Sequence, residues 1–147
     1  MLTATLTIPG LRLPRSPAAT LTTDMMNCGG AHHQGDLGTA AYAIVPELIR
    51  LMANAAEPDW RAYALVATIE ERRMAIGNPA TPDWLEQPYE AALREVVQPA
   101  LAHLRSATGE AEVRSLLAVL AHAKGQRTIG AIALWTEDER RDALDEL

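Results

Sequence analysis

Residues 82–106 read PDWLEQPYEAALREVVQPALAHLRS, and the apolar positions in this stretch decide the fold class. Leu85, Tyr89, Ala92, Leu93, Val96, Val97, Ala100, Leu101 and Leu104 recur at three- and four-residue steps. That spacing places them on one side of an α-helix, as a stripe facing a core. Thr81-Pro82 reads as an N-cap followed by the first helical residue. Pro88 and Pro99 lack the N–H that a helix interior needs, so the sequence predicts an interruption or bend near each.

The same period continues on both sides. Upstream, Leu37, Ala40, Ala41, Ile44, Val45, Leu48, Ile49 and Met52 form one stripe, with a kink or broken turn expected at Pro46. Glu57-Pro58-Asp59 ends that helix, Asp59 is the N-cap of the next, and Gly77-Asn78-Pro79 closes it near residue 76. Downstream, Thr108-Gly109 is a turn. Val113, Leu116, Leu117 and Leu120 then mark a helix that stops near Gly125. Ile129 to Trp135 suits a further short helix, and Thr136-Glu137-Asp138-Glu139 is a capping box opening a last helix over 137–147. Short connections favour antiparallel helix hairpins, 37–56 with 60–76 and 82–106 with 110–124. The two pairs start about 45 residues apart, within the period of HEAT and armadillo units. One such pair cannot cover its own apolar face, so stacked pairs need each other.

Composition bounds the rest. The chain has 147 residues, 48% hydrophobic and 22% charged, which suits one globular domain and excludes disordered, collagenous and disulfide-scaffold classes. Thirteen basic against nineteen acidic residues give a net charge of −6, which speaks against a nucleic-acid partner. The acidity is concentrated at the C-terminus, where residues 136–147 carry six acids against Arg140 and Arg141. Cys28 is the only cysteine, so no intrachain disulfide is possible, which suits a reducing compartment. Apolar runs fall far short of the ~20 residues of a membrane helix, and the N-terminus lacks the apolar core of a secretory signal. The expected location is cytoplasmic.

From His32-His33-Gln34-Gly35-Asp36-Leu37-Gly38-Thr39-Ala40-Ala41-Tyr42-Ala43 and Pro46, through Asp59-Trp60-Arg61-Ala62-Tyr63-Ala64-Leu65 and Pro82-Asp83-Trp84-Leu85, to Lys124-Gly125-Gln126-Arg127, the chain resembles a group of uncharacterised bacterial HEAT-like proteins. The resemblance runs from residue 32 to the C-terminus. It implies an α-helical repeat fold and leaves function open. The expected architecture is therefore all-α: a short α-solenoid of HEAT-like helix hairpins over 32–147, preceded by an irregular or disordered segment, 1–31. That segment departs from the pattern, in which a helix rich in Leu, Trp and acidic residues is expected. Back-translation of Asp24-Met25-Met26-Asn27-Cys28-Gly29, read two bases later, gives Tyr or His, then Asp, Glu, Leu, then Trp or Arg. A frame shift between Asp24 and His32 would account for the departure.

Few residue groups suggest chemistry. His32, His33 and Asp36 combine two imidazoles with a carboxylate, a set that could hold a transition ion, or could equally form a helix entry. Cys28 beside them invites a Cys/His nucleophile but lacks a third, orienting group. His103 and His122 fall on the two helices of the second pair, whose packing could bring them together. Glu70-Glu71-Arg72-Arg73 ends a helix and reads as a solvated face with weak ion pairs between Glu70 and Arg73, or as the rim of a concave binding surface. Lys124 and Arg127 flank Gly125; they read as a helix C-cap or as an anion site beside a helix N-terminus. Trp60, Trp84, Trp135, Tyr42, Tyr63 and Tyr89 suit the core or helix contacts.

Two functions follow as expectations. The first is a non-enzymatic protein-interaction module without a cofactor, its partner a protein and, given the acidic tail, a basic one. By analogy alone, that role extends to neutralising a toxin, as immunity proteins do. The candidate binding residues are His32, His33, Asp36, Glu70, Arg73, Lys124 and Arg127, with no catalytic residue assigned. The alternative is a metal-dependent hydrolase built on His32, His33 and Asp36. Membrane and nucleic-acid partners are not expected, and the oligomeric state is open.

Overall fold

The computed structural model describes residues 38–147. The expectations for residues 1–31, for Cys28, His32, His33 and Asp36, and for Leu37 lie outside them. The described chain forms seven helices and no strand: α1 Thr39–Asn54, α2 Trp60–Arg73, α3 Asp83–Glu95, α4 Val97–Leu104, α5 Glu110–Ala123, α6 Arg127–Leu134 and α7 Glu137–Asp145. It is all-α, as the periodicity predicts.

The helix ends follow local chemistry. The Asp59 carboxylate accepts the N–H of Arg61 at 3.0 Å and starts α2, as expected. Gly77 (φ +97°) turns the chain away just after α2, where a side chain would be strained. At α7 the capping box forms in full: the Glu139 N–H donates to Thr136 Oγ1, and the Glu139 carboxylate accepts the Thr136 N–H. The end of α5 is a Schellman turn around Gly125 (φ +72°). The Gln126 N–H donates to the Ala121 carbonyl and the Gly125 N–H to that of His122, so carbonyls left over by the helix are used.

Of the interruptions expected at the prolines, the one near Pro99 is found. α1 runs through Pro46 and α3 through Pro88 without ending. The one interruption falls at Val96, between α3 and α4. Val96 keeps helical dihedrals; its N–H donates to the Ala92 carbonyl, and its own carbonyl accepts the Ala100 N–H. The backbone is helical through the joint, which lies three residues before Pro99, because Pro99 cannot donate to Glu95 and its ring crowds that carbonyl. The expected cap of α3 also moves. Pro82, extended at φ −59° and ψ 144°, is the N-cap, and the Thr81 hydroxyl instead accepts from Arg73 at 3.2 Å.

α1 packs on α3 and on α2; α2 packs on α5, which also meets α4 and α6. The core between them is built from Tyr42, Val45, Ile49, Tyr63, Val66, Tyr89, Val96, Leu116 and Val119, all essentially inaccessible. The tyrosines are its largest members: the rings of Tyr42 and Tyr89 meet edge to face at 6.3 Å, and the Tyr42 hydroxyl donates to the Pro79 carbonyl at 2.9 Å. Of the tryptophans, expected in the core or at helix contacts, Trp60 is half-buried and the other two are exposed. Trp84 is exposed, because it lies one residue, about 100° of helix, from Leu85 on the buried side. Trp135 is exposed at the end of α6. Within the deciding stripe, Leu85, Tyr89, Ala92, Val96 and Ala100 are buried, Leu93 and Leu104 lean on the core half-buried, and Leu101 faces outward.

Two arginines hold the C-terminal elements. Arg114 of α5 donates to the Ala133 and Leu134 carbonyls, where α6 ends. Arg140 of α7 donates to the Trp135 carbonyl at 2.7 Å and pairs with Glu110 of α5 at 3.6 Å. No helix of the described residues is long and apolar enough to cross a membrane.

Candidate functional site

Helical spacing puts Glu70 and Arg73 on one side of α2, three residues apart, and the fold turns that side inward. The sequence expectation of a solvated face is overturned here: Glu70 is only 7% exposed. Arg73 grips it with two bonds, Nε to Oε2 at 2.8 Å and Nη2 to Oε1 at 3.0 Å. α3 supplies the third member, since the Tyr89 hydroxyl donates to Glu70 Oε2 at 2.9 Å. Arg73 also lies over the Tyr89 ring, 5.0 Å from its centroid, and donates to Thr81. A buried carboxylate is costly unless every lone pair is engaged, and this arrangement engages both oxygens.

The electrostatics agree with a structural network. Burial, with the Glu70 carboxylate beside it, pushes the Tyr89 hydroxyl far above the usual phenol range, so it remains a donor. The bond to Glu70 raises Arg73 further, against the opposing effect of burial. The network opens on a recess of about 280 Å³ lined by Arg73, Thr81, Tyr89, Glu86 and Glu90. Its one cation is already spent on Glu70, and its rim is acidic. Neither Glu70 nor Tyr89 is poised as a base there: the carboxylate is fully bonded and the phenol is held protonated.

Lys124 and Arg127 are placed by the Schellman turn, one as the C-cap of α5 and the other as the first residue of α6. Arg127 reaches back to the Met74 carbonyl at 3.4 Å, joining α6 to the end of α2. It also lines a shallow recess of about 390 Å³ with Glu71, His122, Thr128 and Ala131. Lys124 does not line that recess, so the two cations do not converge there.

His103 and His122, which helix packing could have brought together, are engaged separately. His103 Nδ1 is engaged by the Tyr63 hydroxyl at 2.6 Å. Burial raises the Tyr63 hydroxyl to about 12. His122 lies instead against Gly130 of α6, where a Cβ would come within 2.6 Å of its Nε2. Among the described residues no group of three His, Cys, Asp or Glu side chains could hold a metal. Tyr89, Thr81 and the notch at Gly130 were not found by sequence reasoning. Only the pairing of α2 with α3 and of α5 with α6 brings them into play.

The C-terminal helices expose both apolar and acidic side chains. Ile129, Ile132 and Trp135 recur at three-residue steps and are exposed, as is Leu144 of α7. Next along the chain, α7 exposes Glu137, Asp138, Glu139, Asp142 and Asp145, with Arg140 paired to Glu137 and Arg141 to Asp138. Comparison with protein-family models, curated proteins and solved structures gives no match to this chain.

Proposed function

We propose that this chain is a non-enzymatic module of HEAT-like helix pairs that binds a basic protein partner. The observation that carries the reading is the set of exposed apolar residues Ile129, Ile132 and Trp135, followed in the chain by the acid-rich α7. Apolar side chains scattered singly are ordinary on a surface; several exposed together on one short helix and its end are what a partner reads. The carboxylates steer a basic partner, and the apolar residues supply the area removed from water. The repeat reading is supported by the packing of α1 on α3 and of α2 on α5, first helix on first and second on second, as successive pairs stack. A toxin with a basic active surface is one partner of this chemistry. A reducing, cytoplasmic setting goes with a chain whose only cysteine is Cys28.

The test is affinity capture with the full chain, alongside Ile132→Asp and a variant with Glu137, Asp138 and Glu139 changed to Gln. The expected result is a stoichiometric basic protein, released by salt of about 0.5 M and lost with either variant. No stoichiometric partner, or one indifferent to both variants, overturns the proposal.

A further inference from the structure

His122 is 4% exposed, and among the described residues neither ring nitrogen has a hydrogen-bond partner. A neutral imidazole carries one donor and one acceptor, and burying both unpaired is unusual in a native interior. The ring is held by shape. Its distal edge fits over Gly130 of α6, where any side chain would collide with Nε2, Cδ2 and Cε1 at 2.6 to 2.8 Å. The seam is therefore closed by a titratable group for which a second proton would add a buried charge and a second N–H without an acceptor.

We propose that His122 is a pH-sensitive latch on the joint between α5 and α6, and that taking up a proton there releases α6 from α5 and α2. The charged groups acting on the ring are Glu70 and Glu71 of α2 and Arg127 of α6; none comes from α3 or α4. Glu70 has both oxygens committed to Arg73 and Tyr89, so it cannot turn to the imidazolium. Glu71 lines the neighbouring recess with His122 but does not bond to the ring where the ring now lies. A protonated ring satisfies its two N–H groups only by leaving the notch toward Glu71 and water. Gly130 is what allows the closed position, so leaving it unseats α6.

The sign follows from burial. Desolvation holds the His122 pKa below the ordinary value of 6.5. The group's contribution to closure is thus fully present above the unfolded value and is lost as pH falls from there toward the folded value. With one proton taken up on opening, the opening constant rises by at most about tenfold per pH unit within that window. α6 carries Ile129 and Ile132, so the latch would also govern the surface assigned above to a partner; that extension rests on the binding reading, whereas the latch does not.

The experiment is amide hydrogen exchange on the full chain between pH 7.5 and 5.5, corrected for the intrinsic rate, with an NMR titration of the imidazoles. The expected result is faster exchange in residues 127–134 on acidification, with α1 and α3 unchanged, and a His122 resonance titrating below 6.5. In His122→Phe the pH dependence of α6 exchange disappears. His122 titrating at 6.5 or above, or the same pH dependence persisting in His122→Phe, overturns the proposal. If that variant does not fold, the wild-type exchange decides: no acceleration in residues 127–134 on acidification overturns the proposal.

Discussion

The Tyr89 hydroxyl stands 2.9 Å from Glu70 Oε2, nineteen residues away along the chain, and fixes α3 against α2 through a carboxylate. Arg73 completes the balance of charge. Arg73→Ala leaves that carboxylate buried and uncompensated, so a loss of about 3 kcal/mol is expected. Tyr89→Phe removes one bond to a charged acceptor and costs about 2 kcal/mol. Changing Glu70 and Arg73 together to Met costs less than Arg73→Ala alone, because no stranded charge remains. Urea unfolding of the three variants checks the order, and a double variant worse than Arg73→Ala contradicts it.

All three tyrosines of the chain are buried, and burial raises each of them, Tyr63 to about 12. A folded value above the unfolded one, near 10, means that the stabilisation is complete below pH 10 and is lost as pH rises through the folded values. Absorbance at the phenolate band is expected to show no native tyrosine ionising at pH 10, followed by all three together as the chain unfolds. A tyrosine titrating normally in the folded protein would contradict this.

Two glycines are expected to resist replacement for different reasons. Gly125→Ala places a side chain at φ +72° and costs about 1 kcal/mol. Gly130→Ala gains helix propensity of about 1 kcal/mol, yet its Cβ meets the His122 ring, and such overpacking costs about 1–3 kcal/mol. The contact is with atoms of a buried ring, at 2.6 to 2.8 Å, so the expected net effect is a lower Tm. Thermal melts of both variants measure it, and a rise for Gly130→Ala would show that the ring moves freely.

Along α3 and α4 the stripe is unequal. Val96→Asp buries a charge in the centre of the core and is expected to abolish cooperative unfolding. Leu101→Asp lies on the outward side and changes Tm by a few degrees at most. Leu93→Asp, at the half-buried margin, falls between them. Circular dichroism melts rank the three, and equal effects would remove the assignment of this helix face.

That ranking shows what the sequence can and cannot say. Period alone finds helices, because burial repeats every three or four residues on any helix against a core. It therefore located six helical segments, the third of which is α3 and α4 together, while local signals gave the Asp59 cap, the capping box at Thr136 and the turn at Gly125. It does not tell Leu101 from Ala100, since both lie within the apolar sector and only the neighbouring helix decides which is covered. The charged pair Glu70 and Arg73 was misread for the same reason. Three-residue spacing looks alike on a wet face and a buried one, and the difference is made by Tyr89 arriving from α3. His122 is legible only with Gly130 beneath it.

Arg114 and Arg140 anchor α6 and α7 by donating to the main-chain oxygens of Ala133, Leu134 and Trp135. Every residue offers such an oxygen, so these anchors are blind to side-chain identity. Substitutions on the outward face of this end therefore leave its attachment intact, and a new surface can be grafted at Ile129, Ile132 and Leu144 without redesigning the joint. Drift in what this end recognises is cheap, whereas drift in Arg114 or Arg140 is not.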